Sequence, residues 1–177
     1  LPLTLVNHPS LTVSIEKVRF LESAISRGCP VARTILADHL WAHDRKASRA
    51  RITSLYQAAA TSGLNVAQFK LGESLQLGLT DRSETKDYDT GVQWRIRAAA
   101  SGLPEAQARV AFFYRLGSAD GNYSEFRNLP PQIAMAKHGV EPVKAFTYAS
   151  RSAAQGSVEG MCELGQCWEK GVGCVAS

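Results

Sequence analysis

The chain has 177 residues and a mass of 19.2 kDa, with 45% hydrophobic and 20% charged residues. That suits one folded domain or one short repeat array and excludes a disordered tail. Its apolar runs are short, Ile35–Ala37 for example being closed by Thr34 and Asp38, so no segment is expected to span a bilayer. The formal charge of +4 sits in the first third: residues 1–60 carry eight Lys/Arg against four Asp/Glu, while 61–117 and 118–177 are near balance.

Taken in chain order, the sequence falls into units of about 14–45, 46–80, 86–118 and 140–173. Each unit is built around one key glycine: Gly28, Gly63, Gly102 and Gly156. Eight residues before it stand Phe20, Leu55, Trp94 and Tyr148. Three and four before it stand Ala24-Ile25, Ala59-Ala60, Ala98-Ala99 and Ser152-Ala153. Four residues after it come Ala32, Ala67, Ala106 and Gly160, and eight after it Leu36, Leu71, Val110 and Leu164. Ala37, Gly72, Ala111 and Gly165 follow at nine, and Leu40, Leu75, Tyr114 and Trp168 at twelve. Gly78, Gly117 and Gly171 close the pattern at fifteen, where the first unit departs with His43.

Spacings of three, four, seven and eight mark one face of a helix. Each unit is therefore predicted to hold two amphipathic helices meeting at a small-residue seam, with the key glycine capping one of them in a left-handed turn. The expected fold is all-α. The key glycines are 35, 39 and 54 residues apart, so the second gap carries a small insertion at Asp81–Asp89 and the third a large one at about 118–138. The large one contains Asn128-Leu129-Pro130-Pro131, which cannot continue a helix. Insertions in arrays leave from inter-helix loops and often carry partner contacts, so this one is either a binding element or a tolerated surface loop.

The chemistry-bearing residues are sparse. Cys29, Cys162, Cys167 and Cys174 match neither a CxxC pair nor a zinc knuckle. They read as reduced thiols, which favours a reducing compartment such as the cytoplasm. Asn122-Tyr123-Ser124 is a glycosylation sequon and points to a lumen instead, so the compartment stays open. His39 and His43 have the i, i+4 spacing of zinc ligands, but the residue after His39 is Leu40 rather than a general-base glutamate, so they read as helix-surface histidines. Asp81, Glu84, Asp87 and Asp89 lack the order of a calcium loop, and Asp87 stands where a helix N-cap belongs. With no phosphate loop, nucleophile elbow or Cys–His pair, no cofactor and no enzyme activity are expected. The basic run Arg45, Lys46, Arg49 and Arg51 lacks interleaved aromatics and supports nucleic-acid binding only weakly.

These columns resemble the Sel1-like repeat, a relative of the tetratricopeptide repeat with the form A-x3-LG-x2-Y-x2-G, a loop, then A-x2-W-x3-AA-x2-G. The best stretches are Ala67–Gly72 through Gly78, Lys86–Tyr88 through Trp94 to Gly102, and Val140 through Tyr148 to Gly171. The likeness covers about residues 14–173. It implies a right-handed α-solenoid of antiparallel helix pairs, and the Gly171-Val172-Gly173 ending implies a segment of a longer array. The cysteine-rich bacterial branch pairs cysteines within each unit, and units two and three have none.

The same resemblance puts the first helix of each unit on a concave groove. That assigns Thr34, Asp38, Trp41, Phe69, Glu73, Gln76, Phe112, Arg115, Glu159, Gln166 and Glu169 to it. Trp94 and Trp168 occupy the family's aromatic core columns, whereas Trp41 falls one position past its column. Trp41, Phe69, Phe112 and Arg115 are the expected anchors, with Asp38 and Glu73 beside them. For Trp41 and Phe112, gap-filling against an insertion or a further repeat is the rival role. The function expected is a non-enzymatic scaffold or adaptor that takes a protein or peptide on its concave face or through the 118–138 insertion. The alternatives are a structural subunit of a large assembly, ribonucleoproteins included, and a metal enzyme using His39 and His43.

Overall fold

The computed structural model describes residues 9–78, 87–116 and 140–174, with side chains from residue 15 onward. The large insertion, the Asn122 sequon, Asp81, Glu84 and Gly117 lie outside the described residues. Among the described residues eight helices follow one another: α1 (Pro9–Ser26), α2 (Pro30–Asp44), α3 (Arg49–Thr61), α4 (Asn65–Gln76), α5 (Tyr88–Ala100), α6 (Pro104–Leu116), α7 (Pro142–Ala154) and α8 (Val158–Lys170). Among the described residues there is no strand. Three complete pairs, α2/α3, α4/α5 and α6/α7, stand in series between α1 and α8.

The turns repeat because the glycines do. Gly28, Gly63, Gly102 and Gly156 have φ of +84°, +89°, +91° and +82°, a conformation that glycine enters without a Cβ clash. At each, the glycine amide donates three residues back and the next amide five back, as in Gly63 to Ala60 and Leu64 to Ala59. These bonds satisfy carbonyls that a helix end leaves open. Gln68 and Gln107, five residues past the key glycine, donate Nε2 to the carbonyls of Ala60 and Ala99. Proline opens α2 and α7, where a missing amide hydrogen costs nothing. Asp87 caps α5 as expected, its carboxylate accepting from the Thr90 amide.

The small-residue seams set how closely the helices approach. Ala37, Ala59, Ala67, Ala98, Ala106, Ala111, Ala145 and Ala149 are all buried. Gly72 of α4 lies so near α5 that a Cβ there would sit 2.6 Å from the Gly91 carbonyl oxygen. Among the described residues the apolar side chains collect into three clusters. The first is centred on Ile52, Tyr56 and Leu71, the second on Val110, Phe113 and Tyr114, and the third on Ala111, Ala149 and Cys167.

The α4–α5 and α6–α7 connections are closed at their necks by matching backbone bonds. The Asp87 amide donates to the Leu75 carbonyl at 3.0 Å, and the Glu141 amide to the Tyr114 carbonyl at 2.9 Å. Both pairs occupy the same columns of their units, so the same closure serves a short connection and a long one.

Three expectations change. Trp94 is half-buried against the first cluster as its column implies, but Trp168 is 47% exposed, meeting Phe146 edge-on at 6.5 Å. Phe20, in the column of Leu55, Trp94 and Tyr148, is 82% exposed. Both belong to helices without a pair-mate among the described residues. Arg115, expected as an exposed anchor, is buried at 6%.

Candidate functional site

The helices that follow the key glycines, α2, α4, α6 and α8, carry the predicted binding residues, and the structure links neighbouring ones through polar side chains. Asp38 on α2 is exposed, yet its carboxylate accepts the hydroxyl of Tyr56 from α3. Lys70 Nζ of α4 lies 3.8 Å from the same carboxylate. The Tyr56 hydroxyl is held well above its usual pKa, by burial first, then by the Asp38 bond and charge and by the Glu73 charge. Asp38, Tyr56 and Lys70 thus form one polar group across α2, α3 and α4.

At the other end, Arg115 of α6 and Glu163 of α8 make the second bridge. Arg115 Nε and Nη2 donate to the two carboxylate oxygens at 3.0 and 3.4 Å. The two side chains are only 2% and 12% exposed. A guanidinium fork matched to a carboxylate is a strong, directional contact, and here it serves packing between helices. Arg115 is committed inside the array, with Phe112 under its guanidinium at 5.3 Å.

Each predicted aromatic anchor is half-buried and covered by a cation. Trp41 packs against the first cluster with Arg45 5.0 Å above its ring. Phe69 packs against the second cluster with Arg95 at 5.5 Å. The structure bonds Asp38 to Tyr56 and leaves Trp41, Phe69 and Phe112 on separate helices. Sequence reasoning missed Tyr56, Lys70 and Glu163. Lys70 and Glu163 stand seven residues past their key glycines, on the side of each first helix that faces the preceding one, and that shared offset was the available signal.

The histidine pair is a surface feature, with ring centroids 4.6 Å apart and the rings tilted at 52° to each other. His39 is pushed toward its neutral form by partial burial and by the charges of His43 and Lys17. Among the described residues no three His, Cys, Asp or Glu side chains gather as metal ligands. A surface pocket of about 470 Å³ lies against α5, lined by Asp89, Thr90, Gln93, Trp94 and Arg97 with Phe113 of α6. Among the described residues that line it there is no histidine or cysteine. No described helix is long and apolar enough to cross a membrane.

No protein-family model matches the chain. A 71-residue stretch is 37% identical to the chitin synthase regulator SKT5 of Saccharomyces cerevisiae, covering 40% of this chain and 10% of the yeast protein. Among solved structures, a Sel1 repeat protein from Oxalobacter formigenes superposes with a TM-score of 0.69 at 23% identity, over 90% of this chain and 41% of that one. A protective antigen of uropathogenic Escherichia coli with an SLR fold gives 0.49 at 21% identity, over 90% and 38%. The chain thus spans less than half the length of each of these proteins. Its glycine-capped pairs, small-residue seams and superposition together identify the fold as that of a Sel1-like repeat α-solenoid.

Proposed function

We propose that the chain is a non-enzymatic interaction scaffold that presents the open side of α2, α4, α6 and α8 to a protein or peptide. Sel1-like repeat proteins generally mediate protein–protein interaction. The observation that carries the reading is the division of labour within these helices. Their small and aliphatic columns are spent on the seams, while Asp38, Trp41, Phe69, Glu73 and Phe112 keep surface on the next columns round. Half-buried aromatics held by a cation are pre-ordered, so they lose little freedom on binding. The yeast relative's name describes a regulator of an enzyme, a role that scaffolding fits.

The basic run gives the ribonucleoprotein alternative little support. Arg45 is laid over Trp41, and Arg51 pairs with Glu22 at 2.7 Å. The test is affinity capture with the wild type, an Asp38→Arg/Glu73→Arg variant and a chain lacking residues 119–137. Loss of partners in the first variant with normal folding supports the helix face. Loss only in the deletion moves the site to the insertion. Capture of RNA that weakens steeply with salt would replace the reading altogether.

A further inference from the structure

After α8 the chain turns back on the helix it has just left. Gly171 takes the left-handed conformation at φ +63°, and Gly173 takes it again at +70°. The Val172 amide donates to the Cys167 carbonyl at 2.8 Å, and Val172 packs on the cluster of Ala111, Ala149 and Cys167. Gly173 lies against the Pro142 carbonyl and Phe146 Cβ of α7, with no room for a Cβ of its own. The double turn brings Cys174 over the end of α8, where its thiol donates to the same Cys167 carbonyl at 3.5 Å.

That return creates a thiol pair. On a continued helix residues 167 and 174 would stand about 10 Å apart along the axis, too far to be bridged. Here the Cys174 sulfur already touches the residue that carries the other thiol. Burial first, and then the charges of Arg115, Glu163 and Cys174, act on the Cys167 thiol. Cys174 is half-buried while Cys167 is fully buried, so attack from solvent begins at Cys174. The other two cysteines stand elsewhere. Cys29 precedes α2, with α3 to α7 between it and α8. Cys162 is exposed five residues before Cys167, about 140° round the helix from it.

We propose that Cys167 and Cys174 close to an intramolecular disulfide by exchange with a small-molecule disulfide, clipping the 171–174 turn to α8. The Cys174 thiolate attacks one sulfur of, for example, oxidised glutathione and expels one glutathione thiolate, leaving a mixed disulfide. The Cys167 sulfur then attacks the Cys174 sulfur and expels the second. The protein pair loses two protons and two electrons. The small disulfide takes up both electrons, and its two released thiolates take the protons. Cys167 needs no path to solvent for its step, because its target is the neighbouring sulfur.

Equilibrating the 177-residue chain in glutathione buffers of rising oxidised share tests this, followed by acid quenching, maleimide alkylation in denaturant and peptide mapping. The oxidised chain is expected to keep Cys29 and Cys162 alkylatable and to lose the mass of two hydrogen atoms between residues 167 and 174. The bond is expected to form faster than maleimide reaches Cys167 in the reduced protein, and to slow hydrogen exchange at the Val172 amide. Cys174→Ser, outside the three apolar clusters, is expected to fold normally and leave Cys167 alkylatable at every ratio. A glutathione adduct that persists on Cys174 beside a free Cys167 overturns the proposal, as do four unchanged thiols or a bond to Cys29 or Cys162. A bond that forms no faster than Cys167 is alkylated belongs to the opened chain and overturns it too. Unchanged exchange at Val172 overturns the clipping.

Discussion

Arg115 and Glu163 stand 48 residues apart in sequence and close a buried ion pair between α6 and α8. Truncating one partner strands the other charge, which costs about 3–5 kcal/mol in buried pairs. Glu163→Ala is expected to lose that much in urea unfolding. Arg115→Met combined with Glu163→Leu is expected to lose less than Glu163→Ala alone, because no charge is left unpaired. A double variant as unstable as the single one would show that the pair contributes through more than its mutual neutralisation.

Gly72 and Gly165 occupy the same column and face opposite situations. A Cβ at Gly72 would press on the Gly91 carbonyl and on Arg95 Cγ, and at Gly165 it would meet open space. Overpacking costs about 1–3 kcal/mol, against about 1 kcal/mol gained by replacing a mid-helix glycine with alanine. Gly72→Ala is therefore expected to destabilise by up to about 2 kcal/mol. Gly165→Ala is expected to stabilise by up to about 1 kcal/mol. Thermal unfolding of the two variants reads both signs.

The Tyr56 hydroxyl, fully buried and donating to Asp38, gives the array an alkaline limit. Its folded pKa is raised above the unfolded value near 10. The folded state therefore holds this proton more tightly. The stabilisation is complete below pH 10 and drains away as pH climbs beyond it. Tyr56→Phe is expected to flatten that alkaline decline and to cost about 1.5 kcal/mol at neutral pH, the low end for a bond to a half-exposed carboxylate. Urea midpoints from pH 7 to 11 on the two proteins make the comparison.

Thiol accessibility divides the cysteines. Cys162 is exposed, Cys29 and Cys174 are half-buried, and Cys167 is fully buried with its thiol pushed up by that burial. The thiolate is the reactive form. A maleimide time course with peptide mapping is expected to label Cys162 first and Cys167 last, with Cys167 reacting only as the protein opens.

The helix pairs were legible because the small residues that fix the seams recur at constant offsets from the key glycines. Asp87 was readable as a cap for the same reason. Arg115 misled because its column says which helix face it occupies, not that Glu163 waits on α8 beyond a long insertion. Trp168 and Phe20 misled in a related way. Their columns describe the side that a neighbouring helix would cover and cannot tell whether that neighbour stands there. Tyr56 went unremarked because it lies one residue past the large apolar column at Leu55, where the repeat pattern makes no demand.

The matched closures from Asp87 to Leu75 and from Glu141 to Tyr114 separate what happens beyond each neck from what happens along the axis. A loop that leaves and returns through one hydrogen-bonded point can lengthen at an entropic cost of only about 0.6 kcal/mol per doubling. These two necks are therefore natural grafting points: a foreign peptide or reporter domain spliced beyond either one would be displayed without disturbing the register of the array.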